Sequence, residues 1–283
     1  MAEHYSCQTG LITHAGYQLF YRRYRNLHHP NGRKMLMLHG AGVDGALTWE
    51  PTLHRLHSWG ELLVPDLRGM GESHPVSGIE QPFLIDEVVA DVCALLDHLA
   101  WFEMDLAGYS FGGLVAMLLK QQRPSAFQHT YLLEPAFMER LDPQEMVQVR
   151  ESYSEAAKMM REVEPCTLGI TQFLDLISPR RSKSARVEQA TVHRLQKRVL
   201  GLSYALDAVT EAVQRLERAP ILAAQTQVHS FVGNKSLLSM QQCHQTQAQV
   251  KEDWHYHEVI GADHSLPFQK PSRVAEVMEK SLL

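Results

Sequence analysis

Apolar positions follow two alternating rhythms along the first half of this chain. Met35-Leu36-Met37-Leu38 and the stretch Glu61-Leu62-Leu63-Val64-Pro65 are short apolar runs. Such runs are too brief for helices and predict buried strands. Residues 11–23 mix apolar and aromatic positions around Gly16 and predict a hairpin. Between 83 and 100, Val88, Val89, Val92, Leu95, Leu96 and Leu99 recur at helical spacing, which predicts an amphipathic helix. A strand over 104–109 runs straight into Ser110. A helix over 112–122 follows and stops at Arg123, ahead of Pro124. The next strand covers 128–133.

Strand and helix in alternation imply parallel strands joined by crossovers. The rhythm then changes. From about 138 to 218 only helical periodicity remains, broken at Pro143, Pro165, Gly169 and Pro179. Strand character returns at 228–232 and 254–260, and 273–283 predicts a closing helix. The expected fold class is therefore α/β, with a mostly parallel eight-stranded sheet flanked by helices. Residues 1–135 and 220–283 would form the core and 136–219 an inserted helical cap.

Composition narrows the function without naming it. Of 283 residues, 45% are hydrophobic and 21% charged, and the net charge is -5. That balance is ordinary for a globular chain and shows no basic stripe, which excludes a nucleic-acid partner. Cys7, Cys93, Cys166 and Cys243 are scattered without a CxxC spacing, so neither a disulfide framework nor a zinc site is expected. No other metal and no cofactor is implied. The segment MAEHYSCQTG lacks the apolar region of a leader, and no apolar run reaches membrane-spanning length. The expectation is a cytoplasmic monomer or homodimer whose partner is a small-molecule substrate.

The candidate chemistry sits where predicted strands end. Gly108-Tyr109-Ser110-Phe111-Gly112 fits G-x-S-x-G between an apolar strand and a helix. That context suits a strained turn projecting the Ser110 hydroxyl at the sheet tip, with small residues letting strand and helix pass closely. A chance Gly/Ser turn is the bland alternative. Of the 16 histidines, His264 stands out by position, after the last predicted strand and before the closing helix. There its imidazole would serve as general base. Leu38-His39-Gly40-Ala41-Gly42 follows the third strand, where small residues let backbone amides approach a developing oxyanion. The expected donors are the amides of Ala41 and Phe111.

With these pieces in place, the chain resembles the α/β-hydrolase superfamily over nearly its whole length. The matching segments are LHGAG at 38–42, PDLRGMGES at 65–73, GYSFGG at 108–113 and GADHSLPFQKP at 261–271. The resemblance implies a cap over the pocket and a structural role for the loop at 66–73. It also implies an acid completing a triad. In most members that acid follows the seventh strand in G-x-x-D, but this chain reads Val232-Gly233-Asn234-Lys235-Ser236-Leu237, with Ser236 in the acid's place. Some relatives carry the acid after the sixth strand, where Glu134 ends Tyr131-Leu132-Leu133-Glu134-Pro135. Glu134 is the expected acid, since a buried carboxylate needs a partner and His264 is a sensible one. Asp263 and an acid-free dyad are the alternatives. Relatives acting on haloalkanes or epoxides place Asp at the elbow, so Ser110 argues against both activities.

The implied activity is a serine hydrolase acting on esters, thioesters or lactones through an acyl-enzyme at Ser110. C–C bond hydrolysis or a lyase step on the same fold is one alternative, and a ligand-binding protein with weak turnover is another. Tyr109, Trp49, Phe137 and Met138 are the expected substrate contacts. Tyr153, Met159, Met160, Phe173, Leu174, Leu200 and Tyr204 are further cap candidates, although apolar cap residues mostly form the cap's own core. Arg180-Arg181-Ser182-Lys183 reads as a solvated cap loop, with an anionic substrate as the alternative reading.

Overall fold

The computed structural model describes residues 4–283, so the first three positions of the segment read above as leader-free lie outside the described residues. Two long strands, β1 (Tyr5–His14) and β2 (Tyr17–Asn26), pair as an antiparallel hairpin. Then come β3 (Arg33–Leu38), α1 (Gly45–Leu53), β4 (Trp59–Pro65) and the two-residue β5 (His74–Pro75). They are followed by α2 (Ile85–His98), β6 (Met104–Tyr109), α3 (Phe111–Gln122) and β7 (Phe127–Leu133). Four helices follow with no strand between them: α4 (Pro143–Glu162), α5 (Thr167–Ile177), α6 (Ala185–Gln196) and α7 (Val199–Arg215). The chain closes through α8 (Arg218–Ala223), β8 (Val228–Gly233), α9 (Leu238–Val250), β9 (Trp254–Val259), α10 (Leu266–Gln269) and α11 (Pro271–Lys280).

The strands form one sheet in the order β1-β2-β4-β3-β6-β7-β8-β9. That path holds the eight expected strands; β5 is an addition, pairing with Tyr17 and Gln18 on β2. Two residues carry no periodicity, so the sequence pattern gives no sign of β5. Its presence makes the expected sixth and seventh strands β7 and β8. From β4 onward all neighbours along the path are parallel. Strands β4, β6 and β8 are buried along their whole length, so they show no alternation of core-facing and solvent-facing positions.

From β3 the chain first lays β4 on one side and later β6 on the other. The connections diverge there, and the crevice at the carboxyl ends of β3 and β6 is the place where an open α/β sheet takes ligands. One sheet face is covered by α2, α3 and part of α7, through Leu96, Leu114 and Val209 among others. The opposite face is covered by α1, α10 and α11, through Trp49, Leu266 and Met278. The cap has its own core, in which Met160, Ile170, Leu174, Leu195, Leu202 and Leu206 meet Val43.

Helix α7 belongs to both layers. Leu202 and Leu206 enter the cap core, while Ala205, Ala208, Val209 and Ala212 enter the core over the sheet. It crosses the 66–73 loop so closely that a Cβ on Gly201 would lie 1.7 Å from the Gly69 carbonyl oxygen. That loop is tied down by polar bonds. Asp66 accepts from Arg22 and the Gly45 amide at 2.9 Å each. Arg68 forms a two-pronged bond to buried Asp91 at 2.7 and 2.9 Å. The Gly69 amide donates to the Tyr17 hydroxyl at 2.6 Å.

Candidate active site

Strand β6 ends at Tyr109 and α3 begins at Phe111, which leaves Ser110 alone to reverse the chain. It does so at φ 52° and ψ -115°, a conformation costly for a residue with a side chain. Its backbone is fixed on both sides. The Ser110 amide donates to the Leu133 carbonyl at 3.0 Å, and its own carbonyl accepts from the Gly113 and Ala136 amides. The turn needs glycine at 112, since a Cβ there would sit 2.4 Å from the His39 carbonyl oxygen.

His264 lies between β9 and α10, with Nε2 3.1 Å from Ser110 Oγ and Nδ1 2.6 Å from Glu134 Oε2. A carboxylate only accepts, so Nδ1 carries the hydrogen and a neutral ring leaves Nε2 free to accept from Ser110. Tyr109 braces this arrangement by donating from its hydroxyl to the His264 carbonyl at 3.0 Å. Burial and the nearby Glu134 and Asp263 carboxylates push the Tyr109 phenol far above its ordinary range, so it stays a donor.

Glu134 directly follows β7 in the left-handed region, at φ 44°, and is fully buried. Its second oxygen accepts from the Gly233 amide at 2.7 Å and from the Ser236 hydroxyl at 2.6 Å. Both carboxylate oxygens are therefore satisfied, which makes a buried charge tolerable. Ser236, three residues beyond Gly233 at the end of β8, is thus a donor to the Glu134 carboxylate. Asp263 is turned to other work. Its oxygens accept from the Ser265 amide at 2.8 Å and the Gln269 side chain at 3.0 Å.

The loop after β3 approaches the same point. Fully buried His39 donates from Nδ1 to the Gly40 carbonyl at 2.7 Å and accepts at Nε2 from the Leu67 amide at 2.8 Å. Burial lowers its affinity for a proton, so the ring is the neutral staple that this pair of bonds demands. The Gly42 amide meets Met70 Sδ at 3.3 Å, and the Gly112 amide meets the His39 carbonyl at 3.0 Å. Among the described residues, the amides of Ala41 and Phe111 are taken by no acceptor in a turn, loop or cap.

A cavity of about 230 Å³ opens above Ser110 and is lined by Ala41, Tyr109, Phe111 and His264 from the core. Tyr153, Phe173 and Leu174 line it from the cap. Trp49, Phe137 and Met138 do not belong to the lining, which corrects the sequence expectation. Trp49 is fully buried on the α1 side of the sheet, and Phe137 and Met138 are buried in the core of the opposite face. A bulky apolar residue beside a site loop has two buried directions open to it, and spacing does not choose between them. Met159, Met160, Leu200 and Tyr204 are likewise absent from the lining; Met160 packs in the cap core and Leu200 faces outward.

Three features escaped the sequence reading. Glu139, Arg150 and Tyr153 form a buried network along the cavity wall, with the Tyr153 hydroxyl donating to Glu139 at 2.6 Å. Ser236 contributes a hydrogen bond rather than a charge. Helix α6 faces the cavity with Thr191, Arg194 and Leu195, a spacing that was available in the sequence as a helical stripe. The basic run at 180–183 is largely neutralised. Arg180 donates to the Ser236 carbonyl, Arg181 bridges Asp175 and Glu188, and Lys183 reaches Asp175 at 3.2 Å.

Comparison with known proteins adds a lineage to this geometry. A family model described as the alpha/beta hydrolase family matches residues 35–277. Lipase LipV of Mycobacterium tuberculosis is 35% identical over 108 residues, 38% of this chain and 39% of that protein. A 2-hydroxy-6-oxo-2,4-heptadienoate hydrolase of Pseudomonas putida is 27% identical over 111 residues, 38% of this chain and 40% of that protein. Both matches therefore span about two-fifths of the curated relatives' length. Among solved structures, a thermophilic esterase from Thermogutta terrifontis superposes with a TM-score of 0.74 at 20% identity, covering 97% of this chain and 98% of that one. At that identity the likeness concerns the fold alone. No helix among the described residues is long and apolar enough to cross a membrane.

Proposed function

We propose that this chain, which belongs to the alpha/beta hydrolase family, is a serine hydrolase of carboxylic ester-like substrates, with Ser110 as nucleophile, His264 as general base and Glu134 as the orienting acid. The observation that carries the reading is the continuous relay from Ser110 Oγ through His264 to buried Glu134, at 3.1 and 2.6 Å, with Ser110 and His264 lining the cavity. His264 takes the Ser110 proton as the hydroxyl oxygen attacks the substrate carbonyl, and Glu134 stabilises the imidazolium that results. The Ala41 and Phe111 amides receive the charge that develops on the carbonyl oxygen. His264 returns its proton to the departing alcohol. Water activated by the same base then frees the acid from Ser110. An ester, a thioester or a lactone all suit this sequence of steps.

A fluorophosphonate probe tests the assignment directly. It is expected to label Ser110 in the folded protein, and Ser110→Ala is expected to abolish both labelling and ester turnover. A folded protein whose Ser110 stays unlabelled would favour a binding protein over an enzyme. The likeness to the heptadienoate hydrolase supports a second reading, cleavage of a C–C bond beside a carbonyl. Turnover of a vinylogous diketone faster than of any short ester would favour it.

A further inference from the structure

Three arginines line the cavity above Ser110: Arg150, Arg181 and Arg194. Two of them are neutralised. Arg150 pairs with buried Glu139, and Arg181 pairs with Asp175 at 2.7 Å and Glu188 at 2.8 Å. Among the described residues, Arg194 meets no carboxylate within the 4.0 Å of an ion pair. The acids that share the cavity with it are engaged elsewhere: Glu139 with Arg150, Glu188 with Arg181, and Asp263 with the Ser265 amide and Gln269.

Arg194 is held in place without being neutralised. Its guanidinium lies 5.5 Å over the Phe268 ring. Phe268 in turn stands edge-on to Tyr109 at 5.9 Å, and Tyr109 is bonded to the backbone of His264. A cation stacked on an aromatic face keeps its in-plane N–H donors available, and a carboxylate is the partner that matches them two at a time. The cavity of about 230 Å³ lies below the roughly 300–1,000 Å³ of sites that take drug-sized ligands, so the ligand it encloses is compact.

We propose that Arg194 pairs with a carboxylate on the substrate, so that the preferred substrates are short esters carrying an acidic group. The inference rests on the serine hydrolase reading for the bond that is cleaved, but the anion subsite is a separate physical claim.

A matched pair of esters tests it, 4-nitrophenyl pentanoate and the 4-nitrophenyl monoester of glutaric acid, equal in acyl length and differing in the terminal carboxylate. The wild-type ratio of kcat/KM, glutarate monoester over pentanoate, is expected to fall about tenfold or more in Arg194→Ala. Arg194→Lys should recover part of it, and 0.5 M salt should erode it, as about 3–5 Å screening predicts. Arg186→Ala removes the same charge from an exposed site on the same helix and should leave the ratio unchanged. An unaltered ratio in Arg194→Ala, or an equal fall in Arg186→Ala, overturns the proposal. Glutarate alone supplies a readout free of turnover. It should raise the Tm of the wild type and not that of Arg194→Ala, and equal shifts in both would also overturn the subsite. Labelling of Ser110 reports separately on the hydrolase reading, because glutarate binding decides the role of Arg194 whether or not Ser110 reacts.

Discussion

Glu134 shows how far one side chain constrains the chemistry. Its carboxylate is buried and receives three hydrogen bonds, from His264, the Gly233 amide and Ser236. Amidation of that side chain removes the charge and lets its NH2 group compete for His264 Nδ1, favouring the tautomer that cannot accept from Ser110. Glu134→Gln is therefore expected to lower kcat by about 10³–10⁴-fold, whereas Asp263→Asn, whose side-chain hydrogen bonds go to Ser265 and Gln269, should stay within about tenfold. Steady-state kinetics on any turned-over ester rank the two, and the reverse ranking would move the acid to 263. Glu134 was legible in the sequence because a lone charge at the end of an apolar strand demands a partner. Ser236 was legible only as a missing acid, since nothing in the order of residues says that its hydroxyl would meet a carboxylate on the neighbouring strand. Trp49, Phe137 and Met138 were misread because hydrophobicity fixes burial but not the side of a loop on which a ring is buried.

Among the elements, α7 carries the clearest structural demand. Gly201 lets it cross the 66–73 loop at backbone distance, and that loop's own anchors, Asp66 and Arg68, cannot yield without breaking buried ionic contacts. Gly201→Ala is expected to destabilise the fold by about 1–3 kcal/mol, measured as a lower midpoint in urea unfolding with an unchanged slope. An unshifted midpoint would mean that the crossing relaxes freely. The helical stretch between the sixth and seventh expected strands was evident from its period. Its division of labour was not, because α7 shows one continuous amphipathic pattern although it packs against two different cores. Strand β5 lay below detection for the plainer reason that two residues have no period at all.

At the scale of the molecule, histidines set the response to acid. His229 packs against His129, His255 and His257 across three parallel strands, at centroid distances of 4.8–6.3 Å. Burial and the neighbouring imidazoles push His229 down to about 3 and His257 to about 4, and burial takes His244 to about 3. In the unfolded chain these rings titrate near 6.5. Between those limits the unfolded chain binds protons that the folded chain refuses. Stability is therefore complete above about pH 6.5 and falls as the pH drops towards 4. Thermal melts at pH 7.5 and pH 5 should differ by several degrees, less so in His229→Gln/His257→Gln; identical melts at the two pH values would contradict this. The architecture as a whole was readable early, because a parallel sheet announces itself in apolar runs and its ligand crevice follows from strand order.

Rooting α7 in both layers also decides which part of the cap is held least firmly. A roof bolted to the floor along one beam does not swing open as a slab. Of the four cap helices, α6 alone has a single buried residue, Leu195, and it is the one that bears Arg194 over the reaction chamber. The least anchored panel of the cap is thereby the one that carries Arg194, so the charge preference proposed for that side chain rides on the helix with the fewest ties to either core.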